Sequence, residues 1–345
     1  MLNKKILLLG ATGQIGKELS LYLDKNKNID LICHARTKVA ATFLNNHKIN
    51  CIISDIKSEE LKKSIKEADL IFDLVAPSSG TLKETKNFYK DRLNYLLDNM
   101  RPKTKFVFAS SMNAFGLSIR NYKLKNYLIP ASIYASNKRF AEKLLIKKAK
   151  KKLISPYIIR LSDVHGNFQR VSQYIKKLIS NEYIFEIPKT SAWIVFIPTI
   201  YEMLISIIDD QEKPGQYTLV NDEIFWPDLL DHFANKLDKR AKYRVLEKKN
   251  KNYLLDFKEY IYNFILSRRD LIRGNFPISR VFETSKKIEY GIIKANDAYL
   301  QLQGQKIYSG LNLYEGVLPG NRFKNLTSNK ETIFKNIEIV EKKYK

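Results

Sequence analysis

Between Lys4 and Ser162 the chain alternates two hydrophobic rhythms. Short, nearly unbroken apolar runs (KILLLG, IDLICHAR, INCIISDI, ADLIFDLVAP, KFVFASS and SPYIIRLS) are separated by stretches such as GKELSLYLDK and ETKNFYKDRLNYLLDNM, whose apolar residues recur at helical spacing. Apolar runs without polar alternation suit strands buried on both faces, and the stretches between them suit amphipathic helices. The rhythm therefore predicts βαβ units and an α/β protein with a parallel sheet covered by helices on both sides. WIVFIP and GQYTLV add two candidate strands, the first followed by the helix-like TIYEMLISIIDD, and from about Asn221 the pattern turns helical and Lys-rich.

A chain of 345 residues with 44% hydrophobic content can bury a substantial core. No stretch reaches the ~20 uninterrupted apolar residues of a membrane helix, and no charged-then-apolar leader precedes the first strand, so a soluble, cytoplasmic protein is expected, without membrane partners. Cys33 and Cys51 are the only cysteines. They provide neither a disulfide framework nor metal-ligand spacing, and the four scattered His residues do not change this, so no metal site is expected.

The formal charge of +24 would attract phosphate in a nucleic acid, a nucleotide or a membrane surface. The lysines are dispersed, however. The densest run, KRFAEKLLIKKAKKKL from Lys138, keeps Phe140, Leu144, Leu145, Ala149 and Leu153 near one helical face with lysines around the rest, which describes a solvated helix. Specific nucleic-acid binding is not expected.

The first strand runs directly into GATGQIG, Gly10 to Gly16, which in turn opens a helix. In this setting Gly10 permits the turn, Gly13 lets the backbone approach a pyrophosphate, and Gly16 allows close packing of helix on strand, while the helix N-terminus offers unpaired N–H groups to phosphate. The second strand ends at Ala35-Arg36, where an acidic side chain would otherwise receive the ribose 2′-hydroxyl of NAD. An arginine there suits a 2′-phosphate and favours NADP over NAD.

Downstream, Tyr134 and Lys138 lie four residues apart, on one face of a predicted helix. A neighbouring ammonium favours a phenolate over the usual tyrosine pKa of about 10, so Lys138 is expected to draw Tyr134 towards acid/base use. Ser111, at the end of KFVFASS, is placed to hydrogen-bond a reacting oxygen also touched by Tyr134. Tyr290 and Lys294 repeat the spacing without a serine-bearing strand ahead of them.

These motifs, with Ser54-Asp55-Ile56, Leu74-Val75-Ala76, Ser110-Ser111, Gly116 and IIRLSDVHG, occur in the order in which they resemble the extended short-chain dehydrogenase/reductases, the NAD-dependent epimerase/dehydratase group. The resemblance spans roughly residues 4 to 220 and extends to ETSKKIEYGI, which looks like a C-terminal segment common in that group and would make Tyr290 structural. It implies a Rossmann-type doubly wound sheet over residues 1–166 and a smaller, mainly helical substrate region over 167–292. That region is interleaved with returning Rossmann elements at about 193–220, and 293–345 form a C-terminal extension. The cofactor would touch Gly10, Thr12, Gly13, Gln14, Ile15, Gly16, Arg36, Asp55, Ile56, Val75, Ala76 and Leu161. Ser111, Tyr134 and Lys138 would stand at the nicotinamide end, Lys138 also on the ribose, and Ser111, Met112, Asn113 and Asp163 would face substrate.

The chain departs from the group in places. Met112 and Asn113 stand where the sugar-nucleotide 4,6-dehydratases carry Asp-Glu, which argues against water elimination. Asp163 replaces an asparagine common in nucleotide-sugar enzymes, where a carboxylate would repel a diphosphate. The group's Asn and Gly-Thr are missing from FYKDRLNYLL. The expected activity is reduction or epimerisation at a hydroxyl/carbonyl carbon of a carbohydrate-like substrate, by a possible homodimer paired through segments 84–99 and 136–152. The alternative is a non-catalytic protein of the same fold that uses its basic surface for RNA or a protein partner.

Overall fold

The computed structural model describes residues 3–77, 82–115, 133–152, 154, 156–188, 192, 194–221, 224–246 and 324–326. The chain opens with β1 (Lys4–Leu9), α1 (Gln14–Asp24), β2 (Ile29–Ala35), α2 (Lys38–Asn46), β3 (Cys51–Ile53), α3 (Glu59–Glu67), β4 (Leu70–Asp73), α4 (Leu82–Asn99) and β5 (Lys105–Ser111). A 3-10 turn over Met112–Phe115 follows, then α5 (Ile133–Lys152), β6 (Tyr157–Leu161), β7 (Asp163–His165), α6 (Arg170–Ser180), β8 (Ile184–Pro188) and β9 (Ile194–Phe196). The remaining elements are α7 (Ile197–Ile208), β10 (Gly215–Leu219), α8 (Trp226–Asn235), β11 (Lys242–Leu246) and β12 (Lys324–Leu326).

One parallel sheet in the order β12-β10-β6-β5-β4-β1-β2-β3 organises the molecule. The apolar runs become its strands because each is covered on both faces. In β1, Ile6 and Leu8 enter a core with Leu19, Leu23, Ile200 and Leu204 from α1 and α7. Leu7 and Leu9 enter the opposite core with Ile65, Leu93, Leu97 and Leu145 from α3, α4 and α5. Neighbouring residues thus point to different helical layers, so every β1 position from Ile6 to Leu9 is apolar. The strand order reverses between β1 and β4, the switch point at which sheets of this type open a crevice beyond their carboxyl ends.

A third core of Ile175, Leu178, Phe185, Phe196, Trp226, Leu229 and Phe233 joins α6, α8, β8 and β9 beside the sheet. The pattern along the chain did not resolve this region. WIVFIP yields only the short β9, which pairs with β7 in a separate two-stranded sheet, because α7 begins at Ile197 with Pro198 in its first turn. The helical expectation after Asn221 is met by α8, while Lys242–Leu246 adds a strand paired with β8 that the expectation lacked. On α5 the apolar face is buried through Ala141, Leu145 and Ala149, and Lys143 and Lys147 are exposed, as a solvated helix requires. Tyr290, Lys294, ETSKKIEYGI and all of the 293–345 extension except β12 lie outside the described residues.

Candidate functional site

The carboxyl ends of β1, β2, β4, β5 and β6 carry most of the sequence-predicted residues along one edge of the sheet, around its switch point. At its centre Gly10 adopts φ +84°, a left-handed conformation natural to glycine. A Cβ there would lie 3.2 Å from the Leu74 backbone. Gly16 is fixed by space instead, because a Cβ would fall 2.3 Å from the Gly10 carbonyl oxygen and 2.6 Å from Ala11 Cα. Gly13 is different from both. It is exposed, caps α1 from an extended conformation, and a Cβ on it would meet only the Gly10 oxygen, at 3.3 Å. Helix α1 has no side-chain cap and no acidic residue in its first turn, so its free N–H groups and positive dipole end face the crevice unopposed. That arrangement fits a pyrophosphate.

At the other end, Tyr134 opens α5 and retains 44% of its surface, while Lys138, one turn later, is almost wholly buried. Ser111 hydrogen-bonds the Tyr134 phenol and supports its ionised form, but desolvation outweighs this contact and raises the phenol's pKa. The expectation that Lys138 draws Tyr134 down is thus corrected in this geometry. The Lys138 ammonium is committed to the Ala109 carbonyl at 2.6 Å, and Nζ stands 5.0, 5.6 and 5.9 Å from the ring centroids of Phe108, Tyr89 and Tyr134. Burial lowers its pKa to about 8, with Asp73 and Glu142 opposing that fall. Leu161 is the cross-strand partner of Ser111, which places the end of β6 beside this group.

Two fully buried ion pairs flank Lys138. Arg92 of α4 holds Asp73 at the end of β4 with Nη2···Oδ1 at 2.8 Å and Nε···Oδ2 at 3.0 Å. Asp73 Oδ1 also accepts the Val75 N–H at 3.1 Å, which orients the Leu74–Ala76 segment. Within α5 and β6, Glu142 accepts from Arg160 Nε at 2.8 Å and from the Ser110 hydroxyl. A further buried carboxylate, Glu18 of α1, accepts the N–H groups of Asn167 and Phe168 at 2.9 and 3.1 Å, while Gln14 Oε1 accepts that of Arg170 at 2.9 Å. A Cβ on Gly166 would lie 2.4 Å from the Glu18 carboxylate, so a larger residue there would have to displace that side chain from its two N–H donors. The N-terminal half of α1 therefore straps the segment that leads into α6.

The β2 end carries Arg36, exposed and without an ion-pair partner among the described residues. Beside it, neutral His34, its pKa lowered by burial, bonds the Ser54 carbonyl at 2.9 Å and ties the ends of β2 and β3 together. Asp55 turns its carboxylate onto the Lys57 N–H at 2.9 Å, and Ile56, Ile15 and Val75 pack partly into the cores. Thr12 is half-buried and Ala76 exposed at the crevice.

Of the substrate candidates, Met112 is buried, Asn113 lies on the same 3-10 turn, and Asp163 is exposed at the start of β7. The walls around Asp163 still desolvate its carboxyl enough to push the pKa up. Asp73, Arg92 and Glu18 are the residues sequence reasoning missed. Their signal was a single charge at a register position otherwise reserved for apolar side chains.

Among the described residues no group of His, Cys, Asp and Glu is suited to holding a metal ion, and no helix is long and apolar enough to cross a membrane.

Comparison with known proteins places this geometry among relatives. The epimerase model of the NAD dependent epimerase/dehydratase family matches residues 6–184, just over half of the chain. The UDP-glucuronic acid 4-epimerase from Bacillus cereus, solved with NAD, is 20% identical at a TM-score of 0.55, the match covering 70% of this chain and 87% of that one. For the UDP-N-acetylglucosamine 4-epimerase from the same organism the values are 14%, 0.56, 73% and 87%. For the dTDP-glucose 4,6-dehydratase from Bacillus anthracis, in complex with NAD, they are 14%, 0.53, 71% and 85%. At these identities the likeness is one of fold. The curated proteins include no match to this chain.

Proposed function

Because the chain belongs to the NAD dependent epimerase/dehydratase family, we propose that it is a nicotinamide-dependent reductase or epimerase acting at a hydroxyl/carbonyl carbon of a sugar, carried on a nucleotide or free. The observation that carries this reading is the cluster at the end of β5, where Ser111 hydrogen-bonds Tyr134 and Lys138 is buried one helical turn away. A protein that only binds has no chemical need for all three groups. The bound nicotinamide would supply hydride exchange with the substrate carbon.

Tyr134 exchanges the proton at the substrate oxygen. Its phenol is raised in pKa by burial, so it rests protonated and ready to donate to a carbonyl, and the Ser111 hydroxyl steadies the phenolate formed on donation. Lys138 holds the ribose and supplies the fixed positive charge beside the developing phenolate. The Gly10–Gly16 turn and the uncapped start of α1 bind the pyrophosphate through backbone N–H groups.

Arg36 binds a 2′-phosphate and sets a preference for NADP, supported by its exposure and by the lack of a competing carboxylate partner among the described residues. Met112 and Asn113 carry no acid or base at the dehydratase positions, so the reading is hydride exchange without loss of water. Pairing of two copies through α4 and α5 belongs to the same proposal. The test is incubation of the protein with UDP-hexoses and reduced or oxidised cofactor, following cofactor absorbance and sugar configuration. Turnover abolished in Tyr134→Phe supports the reading, and turnover unchanged in that variant contradicts it.

A further inference from the structure

Four elements converge on Lys138, and one buried carboxylate touches the arrangement of all of them. Asp73 is the cross-strand partner of Phe108, whose ring lies under the Lys138 ammonium and whose neighbour Ala109 accepts the ammonium's hydrogen bond. Tyr89, the α4 residue one turn before Arg92, covers Lys138 from the helix side and packs edge-on against Phe108 with centroids 6.1 Å apart. Asp73 therefore lies one strand and one residue away from the Lys138 acceptor, and its own partner Arg92 comes from the helix that roofs the lysine. The same carboxylate orients the Leu74–Ala76 segment through Val75 N–H.

We propose that Asp73, clamped by Arg92, is a positioning residue that sets the charge state of Lys138 and the Leu74–Ala76 wall together, so that both sides of the dinucleotide crevice depend on one buried ion pair. The proposal rests on the functional reading above for its meaning, since Lys138 and Val75 are cofactor contacts only if that reading holds.

The chemistry follows from what surrounds the ammonium. From α5 it meets the Tyr134 phenol and the Glu142 carboxylate, the latter engaged by Arg160 of β6; from α4 it meets the neutral Tyr89 and the Arg92 guanidinium; from β4 it meets Asp73. Aromatic faces favour the cation but do not replace water, and burial draws Lys138 down to about 8. Asp73 is the largest influence opposing that fall, and Arg92 works against it. Removing only the negative charge leaves Arg92 unpaired in the interior beside a second cation, which disfavours the ammonium. Removing only Arg92 takes away the opposing cation and leaves the Asp73 charge acting on Lys138 without it, which favours the ammonium.

Asp73→Asn keeps the side chain's shape and an oxygen for the Val75 N–H while deleting the charge. Arg92→Met deletes the opposing charge, and the double variant deletes both. In the full chain carrying 13C-labelled lysine, the Lys138 ε-methylene signal stands apart because three aromatic rings shield it, and it is identified by its loss in Lys138→Met. Its titration midpoint is expected to fall by about one unit or more in Asp73→Asn, to rise in Arg92→Met, and to lie between these in the double variant. Midpoints that stay together in all four proteins overturn the proposal, and if Asp73→Asn does not fold, the sign of the Arg92→Met shift decides.

NADH affinity, followed by fluorescence across the same pH range, reads the second half. Affinity should weaken above the Lys138 midpoint, with the break moving to lower pH in Asp73→Asn. NADH that fails to bind at any pH, with the Lys138 midpoints still displaced, defeats the functional reading and leaves the positioning role standing. NADH that binds with an unmoved break does the reverse.

Discussion

Two functions of the glycine turn can be separated by substitution, because Gly13 and Gly16 are glycine for different reasons. In Gly16→Ala the added Cβ would lie 2.3 Å from a carbonyl oxygen and 2.6 Å from a Cα of the same turn, and neither atom can rotate away as a side chain would. Overpacking of this kind costs about 1–3 kcal/mol, and with about 2–4 °C of Tm per kcal/mol in a domain of this size the melting temperature should fall by about 2–12 °C. Gly13 has φ −75° and ψ 173°, which alanine adopts freely, and its Cβ meets one atom at 3.3 Å. The gain from a stiffer unfolded chain and the loss of a favourable helix cap nearly cancel, so Gly13→Ala should melt within about 2 °C of the parent.

On the proposed reading the same methyl stands on the surface a pyrophosphate would reach, so NADPH and NADH affinity should fall at least tenfold, about 1.4 kcal/mol, and further in Gly13→Val. Thermal unfolding without ligand and a cofactor titration by fluorescence measure the two effects on the same samples. A Gly13→Ala protein that is destabilised but binds normally, or a Gly16→Ala protein as stable as the parent, would refute this division of roles.

Three further outcomes are expected. Arg36→Ser should erase a preference of about tenfold for NADPH over NADPH's unphosphorylated counterpart, and a parent protein that already binds NADH more tightly removes the 2′-phosphate assignment. Tyr134→Phe should retain cofactor binding and lose about 10²–10⁴-fold in turnover, read by steady-state kinetics once a sugar substrate is in hand. Buried His165, bonded to the Ser172 hydroxyl at 3.0 Å, has its pKa lowered to about 3. Between pH ~6.5 and ~3 the unfolded chain therefore binds a proton that the folded one refuses, and stability should drop by about 1.4 kcal/mol per unit as pH falls. Urea unfolding of His165→Asn should show a slope shallower by that amount, and an unchanged slope would mean that His165 is not neutral in the fold.

The sheet was legible in the sequence wherever burial is two-sided. Leu7 and Leu8 point into different helical layers, so β1 is apolar from Ile6 to Leu9, and the apolar runs within β4 to β6 have the same cause. The glycines, Ser111, Tyr134 and Lys138 were legible because each stands at the end or start of such an element, where spacing along the chain fixes position in space. Beside the sheet that logic stops. Strands β7, β9 and β11 are three to five residues long, pair only with one neighbour each, and carry too little pattern to separate from loop or helix.

Charge inside the fold was also hidden. Asp73 and Arg92 are nineteen positions apart, and Glu18 meets Asn167 across most of the domain, so the local pattern holds an out-of-place charge without its partner. The four-residue spacing casts Lys138 as the modifier of Tyr134, yet burial and the Ala109 bond make the lysine itself a strongly perturbed group.

Calorimetric titration of NADPH into the parent protein and into Lys138→Met is expected to show a single site in the parent and an affinity at least tenfold weaker in the variant, because on the proposed reading the ribose contact and the buried charge are lost together. Heat changes that are absent in the parent with both NADPH and NADH, or identical in the two proteins, would contradict a nicotinamide dinucleotide lying from the Gly10 turn to Lys138.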